Sequence, residues 1–205
     1  MFIDVTFSEP HQNLEFDDFL LSVVKNTPIL RIWESSVFFV VMGRNSPPSD
    51  VNWSACERDS IPVLRRNSGG GTILQGPGCL NYTLVLSTSI SENCRTIQGA
   101  FNFVLGKVLS ALKDLMPQQD LQIRGRSDLC LGDRKFSGNA QRRKGSYLYV
   151  HGTILYNFPI EIIPLYLTIP KNQPAYRNNR PHTDFLTNLS VDRYRIVRNL
   201  QQEWQ

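Results

Sequence analysis

Apolar side chains recur at steps of three and four through Ile97, Ala100, Phe101, Val104, Leu105, Val108 and Leu112, one continuous stripe. The pattern predicts a helix from about Cys94 to Leu115, stopped by Pro117 and packed by its stripe against a core. Phe16, Phe19, Leu20, Val23 and Val24 repeat it over Leu14 to Val24, with Asn13 as N-cap and Pro28 past the end. Shorter helices are expected at Val51–Arg58, at Ile160–Leu167 despite Pro164, and at Val191–Gln201.

Elsewhere the period falls toward two, or the apolar runs are short. Tyr147 to Tyr156 is the clearest strand, and alternation puts His151 on one face with Tyr149 and Thr153, opposite Leu148, Val150 and Ile154. Ile3–Phe7 reads as a strand closed by Pro10, and Ile29–Trp33 with Val37–Met42 reads as a hairpin. Further strands are predicted at Pro62–Arg65, Thr72–Leu74, Leu80–Leu86 and Leu121–Ile123. Gly132-Asp133 is a turn joining Asp128–Leu131 to Arg134–Ser137. Lys171–Arg180, polar and proline-bearing, reads as a mobile loop. Strands outnumber helices and are often consecutive, so the expected class is α+β with mixed or antiparallel sheets flanked by helices.

Composition narrows this picture only a little. A chain of 205 residues, 41% apolar and 20% charged, is an ordinary globular protein with one sizeable core. The net charge of +4 is weak grounds for nucleic-acid binding, and the one basic cluster, Arg142-Arg143-Lys144, is expected to be a solvated turn between strands. Cys56, Cys79, Cys94 and Cys130 form no Cys-x-x-Cys pair and follow no secretory leader, so reduced thiols in a cytoplasmic protein are expected. Val37–Met42, the longest apolar run, is too short to span a bilayer, and no membrane partner is expected. His11, His151 and His182 lack ligand spacing, so no metal site is expected in the protein itself.

The chemistry concentrates in two stretches. In Arg65-Arg66-Asn67-Ser68-Gly69-Gly70-Gly71-Thr72, glycines can turn successive N–H groups toward one point, and the arginines can add forked donors for phosphate or carboxylate. It is not a P-loop, which needs Gly-Lys-Ser/Thr, nor a dinucleotide fingerprint, because Thr72-Ile73-Leu74 reads as strand and not helix. Alone, such a triplet is also compatible with a tight strand turn. In Gly132-Asp133-Arg134-Lys135-Phe136-Ser137-Gly138-Asn139-Ala140 one lysine stands among small residues. We expect the two stretches to face each other across a pocket that holds an activated carboxylic acid.

Taken with Gly78-Cys79-Leu80-Asn81-Tyr82-Thr83, Gly125-Arg126-Ser127-Asp128, His151-Gly152-Thr153-Ile154-Leu155 and Gly43-Arg44-Asn45, these stretches resemble the lipoate–protein ligase A family over about Asn13 to Leu189. The resemblance implies a biotin/lipoate ligase-like catalytic domain of the ligase and octanoyltransferase superfamily. It implies ATP, Mg2+ and lipoate or octanoate as substrates, and acyl transfer to a lysine on a carrier. The carriers would be the lipoyl domains of 2-oxoacid dehydrogenases or the glycine cleavage H protein. By the same resemblance Lys135 would hold the acyl carbonyl and the adjoining phosphate oxygen. Arg66, Ser68, Gly69, Gly70, Gly71, Gln75, Asn81, Asp128, Gly138, Ala140, His151 and Gly152 would line the acyl-adenylate site, with Gly138 and Ala140 keeping its wall open. His151 is equally compatible with a structural bond to nearby backbone.

Two departures matter. Gln75 stands where many ligases carry histidine, and a glutamine cannot titrate near neutrality. The chain reads as a single catalytic domain, 1–205, without the C-terminal accessory domain of two-domain ligases, so a separate accessory subunit is an expected partner. The rival route is thioester transfer from octanoyl carrier protein through Cys130, five residues before Lys135, whose ammonium would favour a thiolate, although between Leu129 and Leu131 Cys130 also reads as a buried strand residue. A non-catalytic half of a split ligase is the third alternative.

Overall fold

The computed structural model describes residues 1–204. A seven-stranded sheet runs in the order β1 (Phe2–Asp4), β2 (Ile29–Trp33), β6 (Cys79–Ser87), β10 (Tyr147–Leu155), β9 (Arg134–Lys144), β8 (Asp128–Leu131), β7 (Leu121–Arg124). Only the β1–β2 pair in it is parallel. A second sheet is ordered β4 (Val63–Arg65), β3 (Phe39–Met42), β5 (Ile73–Gln75), with β3 parallel to β4 and antiparallel to β5. Around them pack α1 (Pro10–Val23), α2 (Trp53–Arg58), α3 (Ile97–Lys113), α4 (Ile163–Tyr166), α5 (His182–Phe185) and α6 (Arg193–Glu203). The expected α+β class with mixed sheets is what forms.

The helical stripe does what its period requires. Ala100, Phe101, Val104, Leu105, Val108 and Leu112 of α3 are buried, and Ile97 at its start stays largely exposed. Thr96 Oγ1 accepts from Gly99 N–H at 3.0 Å, which begins the helix there and not at Cys94. The stripe packs on Leu80, Tyr82, Leu84 and Leu86 of β6 and on Leu148, Val150 and Ile154 of β10, with α6 adding Ile196 and Leu200. Alternation therefore leaves Asn81, Thr83, His151 and Thr153 on the opposite face, where the site lies.

Four expectations need correction. Ile29–Trp33 and Val37–Met42 do not form a hairpin: β2 pairs with β1 and β6, and β3 belongs to the other sheet. Ile29–Trp33 and Phe39–Met42 are buried throughout, so each needs cover on both faces, which a two-stranded hairpin cannot supply. Pro10 opens α1, where its missing N–H costs nothing, so β1 is shorter than expected and Asn13 is no N-cap. Asn13 instead sits buried inside the helix and bonds both Phe7 N–H (3.0 Å) and Phe7 C=O (2.8 Å).

Arg142, Arg143 and Lys144 are the end of β9, and the turn falls at Gly145, whose φ of 59° favours glycine. Arg142 pairs with Asp18, and Arg143 donates to Cys94 C=O (2.5 Å) and Thr96 C=O (3.3 Å) at the entry to α3. Lys171–Arg180 is a tied strap: Gln173 and Asn179 bond each other, Arg177 is buried, and Arg180 pairs with Asp133 at 2.7 Å. Several of its polar side chains find partners within the fold, so polarity alone does not make it a loose loop.

Candidate active site

Lys135 stands at the start of β9, just after the turn at Gly132 (φ 59°). Its Nζ lies 2.7 Å from Asp128 Oδ1, and the other carboxylate oxygen accepts from Tyr176 OH at 2.7 Å. Burial, with Asp128 beside it, pushes the Tyr176 phenol up, so it remains a donor. A Cβ at Gly138 would sit 2.8 Å from Lys135 Nζ. Gly138 therefore clears room for the lysine itself, a more local task than opening a tunnel wall.

The glycine stretch is held from beneath. Arg66 is buried, and its Nη2 donates to Gly69 C=O (2.7 Å) and Gly71 C=O (2.8 Å) while Nε donates to Ser68 Oγ (3.0 Å). Burial pulls this guanidinium down to about 10, still a cation at neutral pH. Arg65 likewise donates to Gly43 C=O (2.7 Å) and Ser46 C=O (3.0 Å). Neither fork is aimed at a ligand as expected, because buried carbonyls of a tight turn need donors of their own. What remains is the amide side: among the described residues no acceptor meets the N–H of Gly69, Gly70 or Gly71. Gly70, at φ 83°, lies against Ala140 of β9, which joins the loop to the lysine strand.

Gly43 approaches this loop so closely that an added Cβ would overlap the Gly70 carbonyl, whereas Gly71 has nothing within 4 Å of that position. Gly43→Ala is thus expected to cost about 1–3 kcal/mol by overpacking. Gly71→Ala should stay within about 0.5 kcal/mol of the parent. Thermal denaturation of both proteins checks the contrast, and equal losses would refute it.

Behind the loop, His151 Nε2 lies 2.7 Å from Ser68 Oγ, and its Nδ1 lies 3.3 Å from Asp17 Oδ2. Asp17 also receives Thr83 Oγ1 (2.7 Å) and Arg31 Nη1 (2.6 Å). Arg31, fully buried, donates further to Asn13 C=O (2.6 Å) and Asn13 Oδ1 (2.8 Å). The order Ser–His–Asp suggests a hydrolase triad, but Ser68 is 1% exposed and already accepts from Arg66. Its hydroxyl is a strut and not a nucleophile. A proton on His151 Nδ1 satisfies the whole chain, with Ser68 donating to Nε2.

Several expected site residues serve the frame. A Cβ at Gly152 would overlap Asn139 Oδ1, so Gly152 makes room for an amide that accepts from Tyr82 OH and donates to Ser127 C=O (2.8 Å). Asn81 is buried and donates to Cys79 C=O (3.2 Å). Gln75 is buried on β5, with Oε1 unpartnered among the described residues. Cys130 takes the buried strand position that was one of its two readings, and the thiolate alternative is corrected. Cys130 is fully buried, burial pushes its thiol up despite Lys135 nearby, and its Sγ lies 3.4 Å from Tyr176 OH.

The pocket itself opens between Lys135–Gly138 on one side and Thr72–Leu74 on the other. Leu155, Ile163 and Leu167 give it an apolar wall. β5 is an edge strand paired with β3 alone, so one row of its backbone groups is not taken up by another strand. Asp50, Arg177 and His182 also line it, none of them among the expected residues. Asp50 accepts from Thr72 Oγ1 at 2.9 Å, and burial pushes the His182 imidazole down, toward its neutral form. The sequence carried one usable signal for the missed set: Arg31 interrupts an apolar strand, and a buried guanidinium demands a partner. Nothing local marks Asp17, Asp50 or Arg177.

The family model for the lipoyl protein ligase A/B catalytic domain matches residues 9–193, and the chain belongs to that family. A lipoate-protein ligase A of Psychrobacter cryohalolentis is 30% identical over 166 residues, 78% of this chain and 44% of that protein. A mitochondrial lipoyl amidotransferase LIPT1 of Homo sapiens is 28% identical over 151 residues, 72% of this chain and 38% of that protein. The chain spans about half or less of the length of the curated relatives it matches. Among solved structures, a bipartite lipoate protein ligase of Thermoplasma acidophilum, studied with its E2 lipoyl domain, superposes with a TM-score of 0.83 at 18% identity. That match covers 98% of this chain and 80% of the other. Plasmodium falciparum LipL1 in complex with lipoate gives 0.79 at 24% identity, over 99% of this chain and 60% of that one. These likenesses establish the biotin/lipoate ligase fold. No described helix is long and apolar enough to cross a membrane.

Proposed function

We propose that this chain is the catalytic domain of a lipoate–protein ligase, joining lipoate or octanoate to a lysine of a lipoyl carrier domain through an acyl-adenylate. The observation that carries this reading is the apposition of the Lys135 ammonium and the edge strand β5 around one partly apolar pocket; the glycine triplet does not line it and meets the lysine strand through Gly70 and Ala140. Edge-strand amides and carbonyls with apolar walls suit a flat base, and a glycine concavity suits the phosphate. Asp50 is the acid of the pocket lining that could share a magnesium ion brought in on nucleotide phosphates.

In the first step the acid's carboxylate oxygen bonds to the α-phosphorus of ATP and pyrophosphate leaves. In the second the carrier lysine's amine bonds to the acyl carbon, AMP leaves with the electron pair, and the amine's proton goes to solvent. Both steps gather negative charge on oxygen, which a fixed ammonium offsets best where water is excluded. Asp128 and Gly138 hold Lys135 in readiness for that work.

Two assays separate this route from thioester transfer. Purified chain is given ATP, lipoate and unmodified lipoyl domain, or octanoyl carrier protein without ATP, and the carrier's mass is followed. ATP-dependent labelling is expected, and Cys130→Ser should retain at least about half of it, since burying an isosteric hydroxyl costs a modest amount of stability. Labelling only without ATP, and lost in C130S, would instead make Cys130 the acyl carrier. Labelling that starts only when a second polypeptide is added would assign the chain to a split ligase.

A further inference from the structure

The strap after α4 brings a second cation to the pocket. Arg177 closes a single 3-10 turn, Ala175–Arg177, and is only 5% exposed. Its Nε donates to Arg180 C=O at 3.1 Å, and its guanidinium carbon lies 4.8 Å from the Phe185 ring centroid. Its Nη2 is sealed from solvent and has no acceptor among the described residues. A buried cation with an unmatched donor is costly, because the water it gave up has not been replaced. Asp128, the carboxylate whose field reaches it, already uses its two oxygens on Lys135 and Tyr176.

Arg177 nevertheless lines the same pocket as Lys135. The strap is also fastened to the hairpin that bears the lysine. Arg180 bonds Asp133 Oδ2 (2.7 Å) and Asp133 C=O (2.9 Å), and Arg134 bonds Leu186 C=O (2.6 Å). Two cations are therefore set around one cavity by a common frame, and one of them has a donor unused. Resting on the acyl-adenylate reading, we propose that Arg177 is a ligand-contacting residue whose guanidinium takes an oxygen of the anionic phosphoryl linkage between acyl group and nucleotide. A planar guanidinium matches phosphate oxygens in a way a single ammonium cannot, and the Phe185 face fixes its orientation. Its part is binding and charge balance, with no proton transferred.

Titration calorimetry on the full chain tests this with two probes. One is 5′-O-(N-octanoylsulfamoyl)adenosine, whose linker is anionic; the other is the uncharged 5′-octanoyl ester of adenosine. Arg177→Gln should weaken the anionic probe about 10- to 100-fold, the range of one charge-assisted hydrogen bond, and leave the ester within about 2-fold. A merely structural arginine would weaken both alike, and that result overturns the inference, as does an unchanged affinity for the anionic probe. Should R177Q fail to fold, R177K decides on the same terms, with a loss of several-fold confined to the anionic probe as the supporting result. Parent protein that binds neither probe removes the acyl-adenylate reading and this inference together.

Discussion

Replacing Lys135 by alanine is expected to lower acyl transfer by about 100- to 1000-fold while leaving the fold intact, the usual cost of deleting one fixed donor at a developing oxyanion. The ion pair lost with it is partly solvated, with side-chain exposures of 23% and 12% for Lys135 and Asp128. Such a pair contributes no more than about 1 kcal/mol, so the thermal midpoint should fall by only a few degrees. Kinetics should separate the half-reactions. ATP–pyrophosphate exchange driven by lipoate reports adenylate formation, and carrier labelling from preformed lipoyl-AMP reports transfer. Both are expected to fall in K135A, because the ammonium serves an oxygen common to both steps. Near-normal rates in a folded K135A protein would remove this residue from the mechanism.

The second large effect lies away from the pocket. Arg31→Met should cost about 3–5 kcal/mol, because it strands the buried Asp17 carboxylate that the guanidinium meets at 2.6 Å. For a domain of this size that is a fall of roughly 6–20 °C in Tm. Asp17→Leu combined with Arg31→Met should recover part of the loss, since an apolar pair of similar volume avoids the cost of desolvating either charge. Transfer activity should not recover with stability. Without Asp17, His151 loses the acceptor of its Nδ1–H, and the Ser68 strut beneath the glycine loop loosens. Calorimetric melts and carrier labelling on the single and double variants give the test; a double variant that regains both stability and activity would show the chain to be structural only.

Legibility from sequence followed the range of the interactions. Ile97 to Leu112 were readable as a helix because each neighbour in the stripe is one turn away. The two faces of β10 were readable because strand geometry alternates whatever lies opposite. The turn at Gly132 and the motif around Lys135 were readable for the same local reason, and the lysine does line a pocket with Thr72–Leu74. Val37–Met42 was readable as a strand but not as a member of the second sheet, since pairing is chosen among all strands of the chain.

The direction of charged side chains was not legible at all. Arg65 and Arg66 looked like anion forks, and each instead serves carbonyls in its own neighbourhood, leaving the glycine amides as donors that no acceptor among the described residues meets. Cys130 offered two readings, a buried strand residue or a thiol activated beside an ammonium, and burial outweighed that ammonium. The supporting chain of Arg31, Asp17, His151 and Ser68 joins residues 14, 134 and 83 positions apart. The amino-acid sequence by itself determined the elements, their buried faces and the two stretches that carry the chemistry, because these follow from backbone periodicity and from residue type. Only the tertiary structure decided which strands pair, which cations are used up within the fold, and that Arg177 joins Lys135 at one pocket. Those outcomes depend on desolvation and on partners brought together from distant parts of the chain.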